Sequence, residues 1–201
     1  QAQLAGWRAT YRPRDTAIAP ERGGNFHQPY ALIDRLSDTL DGSEIIVSDT
    51  GNTLGWLMQA FRFKGQRFLH PFNNTPMGYA LPAALAAALQ TDRKIICVTG
   101  DGSIMMSIAE LATIGKRRLN VKVMLLDNEG HSMCRFTQRQ WLHGRFAGTG
   151  AADLAFPKSF PQVVLGMGGW LVYEKAYIQS CGLQETMDKW LRSEGPAFIE
   201  V

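Results

Sequence analysis

A strand–helix–strand pattern in the middle of the sequence constrains the possible folds more than any other feature. The runs Lys94–Thr99 and Val121–Leu126 have the composition of buried strands, and the apolar spacing from Ser103 to Lys116 is helical. When a helix connects two neighbouring strands, the strands are typically parallel, because parallel strands need a long crossover connection and antiparallel strands can be joined by a short hairpin turn. Strands that are apolar on both faces are typical of a sheet covered by helices on both sides. The pattern therefore predicts an α/β fold with a parallel sheet.

The same alternation continues along most of the chain. The predicted strands cover residues 44–48, 67–70, 94–99, 121–126, 170–172 and 197–201. The predicted helices cover residues 29–40, 51–61, 76–89, 103–116, 160–165 and 183–193, with another helix inside the polar connection 131–146. We expect a roughly six-stranded parallel sheet with helices on both faces, and ligands outside the carboxyl ends of its strands.

Composition excludes several classes of protein. The chain has 201 residues, of which 45% are hydrophobic, enough for a substantial core. No apolar run approaches the length of a membrane-spanning helix. The net charge is only +3, and the densest basic run, Lys116–Arg118, ends a predicted helix, where cations offset the helix dipole. The three cysteines form no CxxC pair and no disulfide framework, which favours a cytoplasmic location. We therefore expect neither nucleic acid nor a membrane as a partner.

The first 27 residues differ from the rest of the sequence. They are rich in Arg, Pro and Gly, and they lack sustained periodicity. We interpret residues 1–27 as a linker or the tail of a preceding domain, and residues 28–201 as one domain. Gln1 is an unusual first residue for a native chain, so we expect that a larger protein has been cut.

A site for a metal and a phosphate is predicted where the two central strands end. Gly100, Asp101, Gly102 and Ser103 follow the first of these strands, and Asn128 follows the second. Glycines allow the backbone to approach a ligand closely. Carboxylate and amide oxygens suit Mg²⁺ that carries a phosphate. The alternative is a tight strand-to-helix turn in which Asp101 only caps the helix.

This segment resembles the diphosphate-binding motif of thiamine-diphosphate enzymes, in which Gly-Asp-Gly is followed by Asn after a helix and a strand. In detail it is similar to the acetolactate synthase group, and the resemblance extends over nearly the whole chain from about His27. It implies a thiamine-diphosphate-binding fold with thiamine diphosphate and Mg²⁺ as cofactors. The implied metal ligands are Asp101, Asn128 and the backbone carbonyl of Gly130.

Two further segments resemble cofactor loops of the same family. SDTGNTLGW, residues 48–56, resembles the first diphosphate loop, with Gly51, Asn52 and Thr53 at the phosphates, although the family often has Gln-His in place of Asn-Thr. NNTPMGYALPAALAAAL, residues 73–89, resembles the loop and helix that hold the aminopyrimidine ring. There the carbonyl of Thr75 would accept from the ring amino group, and Met77 would hold the cofactor in its bent shape. The cofactor-binding residues also implied by the resemblance are Gly100, Gly102, Ser103, His131, Ser132 and Met133.

Some of these residues have simpler interpretations. Met77 could belong to the core, Thr53 could cap the following helix, and His131 could be a solvent-facing loop residue.

The resemblance implies the cofactor-binding domain of a decarboxylating carboligase that takes a pyruvate-type 2-oxo acid. In this family an activating Glu lies on a separate pyrimidine-binding domain, and this sequence has no counterpart to it. We therefore expect no catalytic residue in this chain, which would be incomplete as an enzyme. Family sites form between subunits, so the expected partner is the pyrimidine-binding domain of another subunit in a homodimer or homotetramer. The family's flavin lies mostly on another domain, and FAD is not inferred.

Several alternatives stay open. Acetolactate synthases carry a Trp that helps to select the acceptor where this chain has Thr137, and Trp141 lies one helical turn further on. A related carboligase, or the small subunit or a fragment of a 2-oxo acid decarboxylase, is therefore an alternative. A non-catalytic scaffold or regulatory domain is another, although Asp101 and Asn128 argue against it. A nicotinamide dehydrogenase is disfavoured, because no G-x-G-x-x-G follows the first strand.

Overall fold

The computed structural model describes Ala2, Gln3, Gly6 and residues 29–201. The strands are β1 Ile45–Ser48, β2 Arg67–Leu69, β3 Ile95–Gly100, β4 Val121–Leu126, β5 Leu171–Tyr173 and β6 Ala197–Glu200. The helices from residue 29 onward are α1 Pro29–Thr39, α2 Asn52–Ala60, α3 Ala80–Ala88, α4 Asp101–Met105, α5 Glu110–Lys116, α6 Ser132–Trp141, α7 Phe160–Met167, α8 Lys175–Cys181 and α9 Leu183–Arg192. The predicted tail at residues 1–27 falls almost wholly outside the described residues, so the domain boundary stays a prediction.

The six strands form one parallel sheet in the order β2-β1-β3-β4-β6-β5. This confirms the predicted fold class. The two central strands pair without a break from Ile95 opposite Val121 to Gly100 opposite Leu126. Because they end at the same level, Asp101 and Asp127 leave the sheet side by side.

Apolar side chains are buried on both faces of the sheet. On β3, Ile96 and Val98 face a core closed by α1, α2 and α9, whereas Ile95 and Cys97 face a core closed by α3, α5 and α7. Successive side chains of β3 therefore point to opposite faces of the sheet and pack into both cores. This explains why the strand is apolar throughout. None of the helices formed by the described residues is both long and apolar enough to cross a bilayer.

Two sequence predictions about helices were wrong, and one helix was missed. The helix predicted at 103–116 is two helices, because tight i→i+3 turns at Met106 and Ser107 interrupt it, and it begins at Asp101. The helix predicted from residue 76 begins only at Ala80, since Gly78 has a φ of 82°, which is incompatible with a right-handed helix. Helix α8 was not predicted.

Lys122 lies fully buried on β4 and fixes the connection between α9 and β6. Its ammonium donates to the carbonyl of Ser193 at 2.7 Å, to the Ser193 hydroxyl at 3.1 Å and to the carbonyl of Gly195. Burial lowers the pKa of Lys122 to about 8. The Lys122 ammonium thus gives the carbonyls at the C-terminal end of α9 the hydrogen bonds that water would otherwise supply.

Replacing Lys122 with Met is expected to destabilise the protein by about 2 kcal/mol, since two carbonyls lose a buried donor. Because the folded-state pKa lies below the ordinary 10.5 of lysine, the unfolded chain binds more protons between pH 8 and 10.5. The native protein should therefore gain stability relative to Lys122→Met as the pH rises through this window. Denaturant unfolding at several pH values measures the difference in free energy of unfolding between the two proteins. A difference that becomes smaller as the pH rises would contradict the prediction.

Candidate functional site

A cavity of about 150 Å³ opens at the carboxyl edge of the sheet, where β1, β3 and β4 end. Thirteen of the fourteen residues assigned to the cofactor site from the sequence line it. They are Gly51, Asn52, Thr53, Met77, Gly100, Asp101, Gly102, Ser103, Asn128, Gly130, His131, Ser132 and Met133, and Thr50, Trp56 and Cys134 complete the lining. Thr75 is the exception, because it lies exposed at a φ of 40° and does not line the cavity. Four separate segments, around Gly51, Met77, Asp101 and Asn128, therefore converge on one site.

Asp101 connects the loops that follow β3 and β4. It is 2% exposed and is the first residue of α4. Its Oδ1 accepts from the N–H of Gly102 at 2.8 Å, and its Oδ2 accepts from the N–H of Gly130 at 2.7 Å. The contact with Gly130 crosses between loops, so Asp101 does more than cap its own helix.

The charge of Asp101 is only partly compensated by the protein. Burial, together with the nearby charge of Asp127, raises the pKa of its carboxyl to about 6, against the lowering effect of the two N–H donors. Among the described residues, no lysine or arginine forms an ion pair with Asp101. Bound Mg²⁺ would supply the missing positive charge.

Asp127 has a different environment from Asp101. Burial acts to raise the pKa of Asp127, but several effects together outweigh it and hold the pKa below its ordinary value. They are the hydrogen bond from Lys175 at 2.9 Å, the hydrogen bond from the N–H of Glu129 and the positive charge of Lys175. The two neighbouring carboxylates are therefore distinguished by Lys175, which pairs with the one that follows β4. This leaves Asp101 as the carboxylate available to a cation.

Asn128 and Asn52 both donate a hydrogen bond to the hydroxyl group of Ser132. The side-chain N–H₂ of Asn52 donates to Ser132 Oγ at 2.8 Å, and that of Asn128 donates to the same atom at 3.3 Å. With both nitrogens directed to Ser132, the Asn128 amide oxygen has no donor among the described residues. This oxygen can bind a hard cation.

Helix α2 directs its N-terminal end into the cavity. Its N-cap is Gly51 at a φ of 82°, and no side chain caps the helix. The first-turn N–H groups of a helix lack partners within the helix and favour an anion. An anion-favouring backbone at Gly51, Asn52 and Thr53 therefore lines the same cavity as the carboxylate of Asp101.

Close packing requires glycine at two positions of the site. A Cβ at Gly102 would lie 2.4 Å from Cδ2 of His131 and 3.3 Å from Cε of Met77. A Cβ at Gly130 would lie 2.4 Å from the carbonyl oxygen of Thr149. His131 and Met77 therefore both lie over the first turn of α4.

A segment that the sequence did not indicate supports the loop after β4. Gly130 forms an antiparallel bridge with Gly150, and the N–H of His131 donates to the carbonyl of Thr149 at 2.9 Å. The Thr149 hydroxyl in turn donates to Gln138 on α6 at 2.9 Å. These residues carry no composition or spacing that distinguishes them from any polar connection.

Helix α6 leads away from the site and buries none of its own side chains. Thr137 and Trp141 both lie on it, outside the cavity lining, and Trp141 is 75% exposed. Met133 and Phe136 are also exposed on this helix. The structure alone therefore does not bring Trp141 to the cavity.

The fold and the site together define a cofactor-binding α/β domain whose donor set fits a diphosphate held through a divalent cation. Residues 49–201 match the family described as "Thiamine pyrophosphate enzyme, C-terminal TPP binding domain" (thiamine pyrophosphate is thiamine diphosphate), and the chain belongs to this family. This confirms the family predicted from the sequence motifs and the class of cofactor.

The curated relatives include several acetolactate synthases. The large subunit of acetolactate synthase isozyme 1 from Escherichia coli (strain K12) is 33% identical over 181 residues, which cover 86% of this chain and 30% of that protein. The isozyme 2 large subunit from the same organism is 26% identical over 197 residues, covering 97% of this chain and 33% of that protein. The chloroplastic acetolactate synthase of Arabidopsis thaliana is 30% identical over 176 residues, covering 86% and 26%. The chain thus spans about a third or less of the length of these relatives.

Proposed function

We propose that this chain is the diphosphate- and Mg²⁺-binding domain of a thiamine-diphosphate-dependent carboligase of the acetolactate synthase type, with a pyruvate-type 2-oxo acid as donor. The observation that carries the proposal is the convergence of Asp101, Asn128 and the N-terminal end of α2 on one cavity. The acetolactate synthases among the relatives support the type of reaction.

Each part of the cavity has a proposed task. Asp101, the Asn128 amide oxygen and the Gly130 carbonyl would hold Mg²⁺. Gly51, Asn52 and Thr53, together with the turn at 100–103, would hold the diphosphate. Met77 would contact the ring portion, and residues 131–133 would continue the loop over the cofactor. The Thr75 carbonyl, which lies outside the cavity lining, would accept from the ring amino group of a cofactor that extends beyond the cavity. When bound, thiamine diphosphate supplies the nucleophilic carbon and the electron sink needed to decarboxylate a 2-oxo acid and transfer the remaining group.

The chain's own contribution is to bind and orient. Two backbone N–H groups fix the Asp101 carboxylate before any cation arrives. A preorganised ligand loses little freedom on binding, which increases affinity and keeps the cofactor in one geometry. Met77 and His131 cover the first turn of α4, where they would exclude water from the site.

Residues that activate the cofactor and choose the acceptor are proposed to come from outside this chain. The activating Glu would lie on the pyrimidine-binding domain of another subunit in a homodimer or homotetramer. Met133, which lines the cavity, and Phe136 and Trp141 further along α6 are exposed. They support contact with such a domain, since apolar side chains of this size rarely stay in water as a group. Cys97, Cys134 and Cys181 are all free thiols, which fits a cytoplasmic location.

The test is a product screen on the full-length protein. Pyruvate and other 2-oxo acids are supplied with several acceptor carbonyl compounds, Mg²⁺ and thiamine diphosphate, and products are identified by mass spectrometry. A condensation product of a pyruvate-derived group supports the carboligase. Free aldehyde with no condensation would support the decarboxylase alternative, which the position of Thr137 outside the cavity keeps open. Calorimetry that shows no Mg²⁺-dependent binding of thiamine diphosphate would instead support a scaffold domain.

Replacing Met77 with alanine is expected to lower kcat by about 10-fold or more, because a small misplacement of the reacting groups is costly. The Kd for thiamine diphosphate should change by less than about threefold, since the diphosphate and Mg²⁺ supply most of the binding free energy. Steady-state kinetics and calorimetry on the full-length protein give both values. The control is Met58→Ala, at a 52% exposed position of α2 outside the cavity. An equal loss of kcat in both variants would contradict the assignment.

A further inference from the structure

Asp49 is a buried carboxylate just after β1 that joins several segments around the cavity. It is 1% exposed. Its Oδ1 accepts from the N–H groups of Gly78 at 3.0 Å and Thr50 at 3.1 Å. Its Oδ2 accepts from the N–H of Ala80 at 3.3 Å and the hydroxyl of Thr99 at 3.2 Å. One side chain therefore ties the end of β1 to β3 and to the segment that begins α3.

The backbone of Gly78 is fixed from its other side as well. A Cβ at Gly78 would lie 2.5 Å from the Cβ of Met106, so this glycine packs directly against the residue that follows α4. Its φ of 82° is one that glycine adopts without strain. Met77 precedes Gly78, and its Cε lies over Gly102 in the cavity. The hydrogen bond to Asp49 therefore holds the residue directly after Met77.

A second buried carboxylate at the opposite end of the same strand provides a comparison. Glu44 is 3% exposed and accepts from the N–H groups of Asp41 at 3.2 Å and Gly42 at 3.0 Å, and from the Gln66 side chain at 3.3 Å. None of its partners lines the cavity. Glu44 and Asp49 thus have similar burial and similar numbers of donors, but only Asp49 acts on the segments that form the site.

We propose that Asp49 is a positioning residue that sets Met77 against the loop of Gly51, Asn52 and Thr53. Asp49 does not line the cavity, so it acts through Gly78 and Thr50 and not by contact with the cofactor. The inference rests on the proposed function, since it assigns Asp49 to the geometry of that same site.

The experiment compares Asp49→Ala, Asp49→Asn and the matched Glu44→Ala in the full-length protein. It measures kcat, the Kd for thiamine diphosphate with Mg²⁺, the melting temperature, and hydrogen exchange at the Gly78, Ala80 and Gly102 amides. Asp49→Ala should lower kcat by at least about 10-fold with a change in Kd of less than about threefold. Exchange should accelerate at Gly78 and Ala80 but not at Gly102, whose donor bond is to Asp101. Asp49→Asn keeps an acceptor oxygen for Gly78 and should retain most of kcat.

A double-mutant cycle separates positioning from general stability. If Asp49 acts through Met77, adding Asp49→Ala to Met77→Ala should lower kcat by less than about threefold more, because the two changes remove the same effect. Glu44→Ala should lower the melting temperature but leave kcat within about twofold.

The inference is overturned if Asp49→Ala leaves kcat unchanged, or if kcat in the Asp49 and Glu44 variants falls in proportion to melting temperature. If Asp49→Ala does not fold, Asp49→Leu in both backgrounds gives the same comparison, because leucine also removes the acceptor oxygens but keeps the volume of the side chain. Failure of the unsubstituted protein to bind thiamine diphosphate would instead refute the proposed function.

Discussion

Asp101→Asn is expected to weaken Mg²⁺-dependent binding of thiamine diphosphate by at least about 100-fold, or about 2.7 kcal/mol. The substitution keeps the size of the side chain but removes the only buried carboxylate that lines the cavity in the described structure. Isothermal titration of the full-length protein with thiamine diphosphate, with and without Mg²⁺, measures the loss. Retained Mg²⁺-dependent affinity would show that Asp101 is not the ligand.

The fold should tolerate this substitution. Since burial holds the folded-state pKa of Asp101 near 6, above its ordinary 3.8, the native state binds more protons than the unfolded chain between these values. Its ionisation therefore lowers stability as the pH rises through that window. Asparagine can accept from only one of the two N–H groups of Gly102 and Gly130, but it removes the cost of a buried charge at pH 7. The two effects oppose each other, so the cofactor-free Asp101→Asn protein should melt within about 5 °C of the unsubstituted protein. In the unsubstituted protein, protons should compete with Mg²⁺ below about pH 6. Exposed Glu129→Gln, one position from Asn128, is the control for general loss of charge and should leave the Kd within about threefold.

Gly130→Ala is expected to weaken cofactor binding by at least about 10-fold and to destabilise the protein by about 1–3 kcal/mol. The new Cβ would meet the Thr149 carbonyl at 2.4 Å, and backbone cannot move aside as a flexible side chain can. The displacement would disturb both the N–H that Asp101 accepts and the carbonyl proposed to bind Mg²⁺. Calorimetry and thermal melting measure the two effects.

Gly150→Ala is the matched control for Gly130→Ala. Gly150 is the other residue of the same bridge, but a Cβ there has Arg135 Nη1 as its nearest neighbour, at 4.0 Å. It should therefore leave affinity within about twofold and stability nearly unchanged. Equal losses in the two variants would mean that the bridge itself, and not the space beside Gly130, controls the site.

Periodicity predicted the sheet well because each strand is buried on both faces. The run Val121–Leu126 matches β4 residue for residue, and the ends of β3 and β4 placed Asp101 beside Asn128 without any knowledge of side-chain contacts. Parallel strands bring their carboxyl ends to one edge, so residues far apart in sequence could be assigned to one site.

The apolar periodicity of the sequence did not predict secondary structure correctly where tertiary contacts determine the backbone conformation. The segment 103–116 has continuous helical spacing, yet turns at Met106 and Ser107 divide it where Gly78 packs against Met106. Helix α8 is seven residues long and its only buried residue is Ile178, so no apolar stripe marked it. Asp49 stood at a predicted strand end, a position typical of functional residues, but three of its four donors come from segments that only the fold brings to it.

The unbroken pairing of β3 with β4 also limits how this domain can vary. Each residue advances a strand by about 3.3 Å and reverses the face of its side chain. A single-residue insertion or deletion in either strand would therefore move Asp101 or Asn128 out of reach of the other and turn the strand's apolar side chains out of their layer. The number of residues within β3 and β4 should thus stay constant among homologous domains. Length variation should be confined to connections at the amino edge of the sheet, away from the cavity, such as the one that contains Lys116–Arg118.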